Sequence, residues 1–242
     1  MIVTAKTNIE KFEENLNRQD TFLAKKMRCE YLSCKDVTLD NFYCSDNVNI
    51  MLNGENATIC GTPTEDEIES ILSFCQFLRV YSLETELDDL PIKNHHTVYL
   101  MSYNGDECTQ RENIIHNENI YQFSEFCTRN FDGVSFDMIY SFFARKVNKG
   151  FSDIYYIEKS GKIISGAVAS DYGGTIYLSF VSTAVGERGN GLASEIISHV
   201  ISENNGKEII LMCENGLIEF YKKLGFYNSG KINLYEVREE SI

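Results

Sequence analysis

The sequence predicts an α/β protein in which helices flank a mixed, mostly antiparallel central sheet, arranged as two similar domains. The length of 242 residues allows one large domain or two small ones. Segments with helical hydrophobic periodicity alternate with segments that favour strands. Between residues 102 and 119 this periodicity lapses and polar residues dominate, so we place the domains at 1–112 and 113–242.

The first domain is predicted to begin with one amphipathic helix, introduced by a possible capping box at Thr7 and Glu10. Three β-leaning stretches follow, around residues 36–43, 47–52 and 57–60. The turn residues Asn53 and Gly54 predict that the last two form a hairpin.

A second capping box, Thr64 and Glu67, predicts the start of the next helix. Its apolar face is formed by Ile68, Ile71, Leu72, Cys75 and Leu78. A strand at 77–83 completes the prediction for this domain.

The second domain is predicted to have the order ααβββαβαββ. The two helices and three strands that come first are at 120–130, 136–147, 153–158, 163–170 and 175–183. The remaining elements are a helix at 191–202, a strand at 208–212, a helix at 216–224 and a hairpin ending at Val237.

The composition narrows the classes of partner. The net charge is −14, from 36 acidic and 22 basic residues, which leaves no general surplus of cations for a nucleic-acid backbone. The excess of acidic residues favours solubility, and alternatively it could attract a cationic amine. The N-terminus lacks a signal-peptide pattern and no run of eighteen apolar residues occurs, so neither export nor a membrane span is expected. The oligomeric state stays open.

The cysteines and histidines do not predict a metal site. None of the eight cysteines forms a CxxC pair, and Cys75 and Cys213 lie in apolar segments that favour buried thiols. A reduced, cytoplasmic setting is the default. His95 and His96 are adjacent and would face opposite sides of a strand, while His199 is expected to have a surface or packing role.

A glycine-rich turn, residues 185–193, joins a predicted strand to a predicted helix. Glycines let a backbone approach a ligand closely, and the free N–H groups and dipole of a helix N-terminus favour phosphate. Arg188 adds a positive charge. Alternatively, Gly189 and Gly191 only make a tight loop and Arg188 is a solvated side chain.

Two motifs together carry a family resemblance. Arg188, Gly191 and Ala193 match R-x-x-G-x-G/A, and Phe220, Tyr221, Gly225 and Phe226 match F-Y-x-x-x-G-F. With this element order, about the last 125 residues resemble the GNAT superfamily of N-acetyltransferases. The resemblance implies an acyltransferase of the EC 2.3.1 type that moves the acetyl group of acetyl-CoA directly to a primary amine of a small molecule or peptide.

The resemblance also implies roles for particular residues. The strand residues Val181, Ser182 and Thr183 would pair with pantetheine and orient the thioester. The main chain that would hold the pyrophosphate is that of Arg188, Gly189, Asn190, Gly191, Leu192, Ala193 and Ser194. Tyr221 would be the catalytic acid that protonates the departing thiolate, because a phenol is protonated at neutral pH; a tyrosine packed on an apolar helix face is the alternative.

The chain departs from the family pattern at two places. Glu214 stands where many members have asparagine, and residues 175–180 contain no carboxylate to act as general base. The base is therefore unassigned, with water, Asp171 or Glu214 as possibilities. A non-catalytic acyl-CoA-binding or sensing module is the alternative function, and an interaction scaffold is a third.

The first domain repeats the strand, turn, helix and strand of the acetyl-CoA segment, but Cys60–Thr64 stands in place of the glycine-rich motif. We interpret it as a degenerate GNAT-like half, or another α/β domain, that helps to wall the acceptor pocket.

Overall fold

The computed structural model describes residues 1–53, 56–74, 79–81, 92–103 and 113–237. The contacts divide the chain into two compact units, Met1–Tyr99 with Gly230–Ile242, and Leu100–Ser229. The first division therefore falls before the polar stretch that marks the predicted boundary at 112/113, and the last strand returns to unit 1. The first division falls within strand β6 (Ile92–Tyr103), and the second falls within strand β12 (Phe226–Val237).

Within the described ranges, three helices and five strands lie wholly in unit 1. The helices are α1 (Ile9–Asn17), α2 (Phe22–Cys34) and α3 (Glu65–Phe74). The strands are β1 (Val3–Thr4), β2 (Phe42–Cys44), β3 (Val48–Asn53), β4 (Asn56–Gly61) and β5 (Arg79–Tyr81). The neighbours β1-β2-β3-β4 are antiparallel, and β4 pairs with β5 in parallel.

In the part of unit 2 that the structure describes, four α-helices and five strands lie wholly within the unit. The helices are α4 (Ile120–Asn130), α5 (Phe136–Asn148), α6 (Leu192–Glu203) and α7 (Ile218–Lys222). The strands are β7 (Ile115–His116), β8 (Ser152–Lys159), β9 (Lys162–Asp171), β10 (Thr175–Thr183) and β11 (Glu208–Cys213). The neighbours β7-β8-β9-β10 are antiparallel, and β10 pairs with β11 in parallel. The mixed, mostly antiparallel sheet with flanking helices confirms the predicted fold class.

The core of unit 2 lies between its sheet and the pair α4 and α5. Its buried members include Phe123, Phe126, Phe143, Ile154, Tyr156 and Val168. Helix α4 has the predicted bounds, because Asn119 caps it by accepting a hydrogen bond from the Gln122 N–H. Ser135 caps α5 in the same way, through the Met138 N–H.

The first predicted helix is wrong, because the structure has two. Arg18 ends α1, and Thr21 starts α2 by accepting a hydrogen bond from the Ala24 N–H at 3.2 Å. The Arg28 guanidinium donates to the Leu16 carbonyl at 2.6 Å, which satisfies an acceptor left over at the end of α1. The cap of α1 is Asn8, not Thr7.

The second capping box is confirmed. The Thr64 N–H donates to the Glu67 carboxylate at 2.9 Å, and the Glu67 N–H donates to the Thr64 hydroxyl at 3.3 Å. The β3–β4 hairpin is also confirmed. Strand β2 is shorter than the predicted 36–43, since residues 36–41 lie outside it. Cys75 and Leu78 lie outside the described residues.

The predicted C-terminal hairpin is wrong, because Phe226–Val237 forms one strand. Its middle is held extended by side-chain partners on β6, a strand that the sequence pattern does not predict. The Ser102 hydroxyl donates to the Ser229 hydroxyl at 2.8 Å, and the Thr97 hydroxyl donates to the Asn233 side chain at 3.1 Å. These long-range bonds outweigh the local turn preference of Asn228 and Gly230.

Candidate active site

The neighbouring strands β10 and β11 separate along their length. Their parallel pairing runs from Thr175 opposite Glu208 to Leu178 opposite Leu211. Residues 179–183 of β10 lie beyond this pairing. The predicted pantetheine strand, Val181–Thr183, therefore lies half-buried at a place where β10 has parted from its parallel neighbour.

A β-bulge lies at the point of separation. Ser179 is opposite Val168 of β9, and Ser182 is opposite Gly166, so that two residues face one. One of the two, Phe180, has φ +51°, a left-handed conformation that is uncommon for residues other than glycine. The sequence alone predicts an ordinary strand here, and no pattern in it signals the bulge.

Hydrogen bonds hold the end of β10 in place. The buried Ser165 hydroxyl donates to the Ser182 carbonyl at 3.1 Å and lies 2.9 Å from the Thr183 hydroxyl. Because a serine has one O–H to donate, Thr183 is the donor in the second contact. The Arg188 Nε–H donates to the Thr183 carbonyl at 3.1 Å, which ties the following loop to the strand.

The glycine-rich loop leads into α6 through two left-handed residues, Gly189 with φ +83° and Gly191 with φ +81°. A Cβ at either position would meet no atom within 4 Å, so glycine is favoured here by its backbone conformation and not by crowding. Gly191 is the N-cap of α6 and supplies no side-chain hydrogen bond. The first-turn N–H groups, including those of Leu192, Ala193 and Ser194, therefore lack a side-chain cap at the positive end of the helix dipole.

Two contacts shape the loop before these glycines. The Asn190 side chain donates to the Glu187 carbonyl at 3.1 Å, and Lys159 forms an ion pair with the Glu187 carboxylate at 2.7 Å. The ion pair neutralises an acidic charge near the loop. Glu195, in the first turn of α6, is an opposing charge.

Tyr221 is buried in α7, with 5% of its surface exposed. Its ring centroid lies 5.0 Å from that of Phe220 and 5.8 Å from that of Phe226. Burial raises the pKa of the Tyr221 phenol well above its usual value, with a further contribution from Cys213 at the end of β11. The phenol is thus protonated throughout the neutral range.

Tyr177 of β10 lies close enough to interact with Tyr221. Burial raises the pKa of Tyr177 too, and Tyr221 adds to the effect. Tyr221 therefore interacts electrostatically with residues of both strands that part at the bulge. No motif in the sequence marks Tyr177, because it is an isolated tyrosine in a strand.

The two carboxylates considered as a base lie at different places. Asp171 is at the opposite end of β10 from the bulge and accepts hydrogen bonds from the Gly173 and Gly174 N–H groups and from Lys207, at 2.8, 2.9 and 3.0 Å. Burial opposes its ionisation, but these bonds outweigh burial and lower its pKa. Asp171 is thus a poor base. Glu214 is exposed and follows the end of β11 directly.

His199 lies in a packed environment. His199 is buried in α6, 3.3 Å from the Glu203 carboxylate and in edge contact with the Tyr155 ring, which is a packing role. Among the described residues, no three His, Cys, Asp or Glu side chains are grouped to hold a metal ion. Within those same ranges, no helix is long and apolar enough to cross a membrane. The six described cysteines are buried thiols that form no disulfide with one another, Cys213 among them.

The comparisons with known proteins concern the family and the fold. Residues 117–226 match the model of the acetyltransferase (GNAT) family. This part of the chain is a GNAT acetyltransferase domain. No curated protein matches the sequence significantly.

Solved structures extend the likeness in fold beyond that domain. A GCN5-related N-acetyltransferase from Sphaerobacter thermophilus aligns at 12% identity with TM-score 0.64, covering 97% of this chain and 94% of its own. A GCN5-related N-acetyltransferase-like protein from Streptococcus suis aligns at 16% identity with TM-score 0.61, covering 94% and 100%. A tandem GNAT protein from the clavulanic acid biosynthesis pathway aligns at 10% identity with TM-score 0.62, covering 100% and 99%. At these identities the likeness concerns the fold alone.

Proposed function

We propose that the protein is an N-acetyltransferase that moves the acetyl group of acetyl-CoA directly to a primary amine of a small molecule or peptide. Membership of residues 117–226 in the GNAT family supports acyl transfer in general. The observation that carries the finer proposal is the bulged end of β10, which the glycine-rich loop connects to the N-terminus of α6 with no side-chain cap.

The residues present fit acetyl-CoA in two respects. The pyrophosphate carries negative charge, and the α6 N-terminus offers N–H groups, a favourable dipole and, at Gly189 and Gly191, open space beside the backbone. The pantetheine arm carries amides that pair with a strand edge, and Val181–Thr183 extend beyond the β10–β11 pairing. We assign these two segments to cofactor binding.

In the proposed reaction, a backbone N–H near Val181 donates to the thioester carbonyl oxygen, where negative charge grows as the amine attacks. The new C–N bond forms and the C–S bond breaks. Tyr221 gives its phenol proton to the leaving sulfur. A raised pKa keeps that proton in place until charge develops on sulfur.

The amine proton must also leave. We propose that Glu214 accepts it through water, because this exposed carboxylate directly follows Cys213, which interacts with Tyr221. Transfer back through water then restores the Tyr221 phenol. The absence of a carboxylate from residues 175–180 instead favours the second candidate, an acyl-CoA-binding module without turnover.

The test is release of free thiol from acetyl-CoA with polyamines, aminoglycosides, amino acids and peptide N-termini as acceptors. Turnover with any amine is the expected result. Tight CoA binding without turnover in the whole panel would replace the proposal by the binding module. If acetyl-CoA does not raise the melting temperature at all, both candidates fail and the interaction scaffold remains.

A further inference from the structure

The aromatic ring of Phe180 lies on the side of the sheet opposite to the one that strand alternation predicts. Val168 belongs to the core under α4 and α5, and Ser179, directly opposite Val168, shares that face. In a regular strand the next residue would face the other way. The ring of Phe180 instead packs against the same core as Val168.

Three phenylalanines, two that belong to α5 and Phe131, which directly follows α4, form the pocket that receives this ring. Its centroid lies 5.1 Å from that of Phe143 and 5.4 Å from that of Phe131, both in edge-to-face contact, and 6.5 Å from that of Phe142. Edge-to-face pairs at these distances are favourable. We call Phe131, Phe142 and Phe143 the aromatic pocket.

The ring of Phe180 reaches the aromatic pocket while the backbone of this residue adopts an unfavourable conformation. Its φ of +51° is unfavourable for a residue with a Cβ, and such a conformation persists only where the surroundings enforce it. The ring contacts in the aromatic pocket favour it, and the hydrogen bonds of Ser165 to Ser182 and Thr183 hold the strand directly after the bulge. The bulge, with two residues opposite Ala167, follows from the same turn of the backbone.

We infer that Phe180 is a positioning residue for acyl transfer: its ring, seated in the aromatic pocket, holds the bulge that separates β10 from β11 and aims the backbone of Val181–Thr183. This inference rests on the proposed function, because those N–H groups are the ones assigned to the thioester and pantetheine. Phe180 itself need not touch either substrate.

The position of the bulge in β10 fits this role. The β10–β11 pairing ends at Leu178, and the bulge begins after Ser179. If residue 180 relaxed to a regular strand conformation, the following residues would shift in register and every later side chain and N–H would change face. The loop at Gly189–Gly191, which is assigned to the pyrophosphate, lies farther along the chain and would be less affected.

The test compares Phe180→Leu with Phe126→Leu, which removes a ring of the same core away from the bulge. For F180L we expect kcat to fall by about 100-fold, the scale of a misaligned reacting group or a lost oxyanion donor. The Kd for CoA, measured by calorimetry, should rise by a much smaller factor, because the loop assigned to the pyrophosphate is less affected than Val181–Thr183. For F126L we expect a lower melting temperature and a normal kcat per folded molecule.

A milder variant keeps the test valid if F180L does not fold. Phe131→Leu removes one wall of the aromatic pocket from a half-buried position, and we expect a smaller loss of kcat in the same direction. In the double variant F131L/F180L the two losses should not add, because both act through one bulge.

A crystal structure of F180L provides a readout that does not depend on turnover. We expect φ at residue 180 to leave the left-handed region and the pairing of Ser182 with Gly166 to shift. A folded F180L with normal kcat, or with the bulge unchanged, overturns the inference and leaves the proposed function standing. Absence of turnover in the unchanged protein overturns the proposed function, and the F180L structure then decides whether Phe180 holds the bulge.

Discussion

The two units have the same order of elements but differ at the loop that would meet a phosphate. In each unit a short strand and two helices precede three antiparallel strands, and a helix then leads to a parallel neighbour. Thus β1 to β5 with α1 to α3 correspond to β7 to β11 with α4 to α6. This correspondence supports the interpretation of unit 1 as a diverged GNAT-like copy, which stays a prediction.

The helix N-termini after the third antiparallel strand differ in their chemistry. In unit 1, Thr64 and Glu67 satisfy each other's N–H groups, and the first turn of α3 carries three acids, Glu65, Asp66 and Glu67. In unit 2, Gly191 leaves the first turn of α6 without a side-chain cap. An anion is therefore opposed at α3 and favoured at α6. One topology thus supports either a structural cap or an anion site, depending on a few residues.

The strand before the loop differs as well. The register of β4 against β3 is continuous from Asn56 to Gly61, whereas β10 has the bulge at Phe180. Gly61 is crowded, since a Cβ there would lie 2.2 Å from the Asn47 carbonyl oxygen. Gly61 therefore serves packing, whereas Gly189 and Gly191 of the loop before α6 face open space among the described residues.

The largest expected effect is a loss of kcat on substitution of Tyr221, and it tests whether acyl transfer takes place in unit 2 alone. Tyr221→Phe should lower kcat by about 100-fold, the usual scale for loss of a general acid, because no other group is assigned to protonate sulfur. The Kd for CoA should stay the same. Tyr43→Phe, a matched change at a half-buried tyrosine of unit 1, should leave kcat unaltered. Steady-state thiol release measures both variants, and equal losses would contradict the division of roles.

The next experiment makes the α6 terminus resemble that of α3. Gly191→Asp places a carboxylate at the N-cap and a side chain at a left-handed position, so CoA should bind about 30-fold more weakly, a cost of about 2 kcal/mol. Titration calorimetry measures the change. Thr64→Gly in unit 1 is the control and should leave CoA affinity intact. Unchanged affinity in G191D would place the pyrophosphate elsewhere.

A smaller effect concerns the cap of unit 1 itself. Thr64→Ala removes the acceptor for the Glu67 N–H and should lower the free energy of unfolding by about 1 kcal/mol. Hydrogen exchange should increase in α3 and not in α6. Ser135→Ala, which removes the cap of α5, should instead increase exchange in unit 2. If either substitution increased hydrogen exchange equally in both units, the units would not unfold separately.

The smallest effect is a pH dependence. Burial opposes ionisation of Glu67, but hydrogen bonds from Ser45, Thr64 and Asn47 outweigh it and lower its pKa. Because the pKa of Glu67 is lower in the folded than in the unfolded protein, its ionised form stabilises the fold at pH values above the unfolded pKa of about 4.3. This stabilisation is lost as the pH falls through the folded pKa. Glu67→Gln should therefore be less stable than the unchanged protein at pH 7, with the difference closing in acid. Urea unfolding across pH measures this, and a constant difference would contradict it.

Much of unit 2 was predictable because its signals are local. Helix α4 and strand β10 have the bounds that the sequence predicts, and the loop at Gly189 and Gly191 has the expected turn into a helix. Capping side chains and hydrophobic periodicity act within a few residues of one another. The same local signals failed at the first helix, where Thr21 begins a second one, and at β12, where partners on β6 override a turn.

Local residue preferences thus determined the elements of unit 2, its two family motifs and the glycines that give α6 a terminus without a side-chain cap. Only the tertiary structure decided where β10 leaves β11, which face receives Phe180, and how strongly burial raises the pKa of Tyr221. It also showed that hydrogen bonds hold Asp171 in a turn. The reason is physical: backbone preference and periodicity depend on neighbours in the chain, whereas strand register, burial and the field at a titrating group depend on residues brought together by folding.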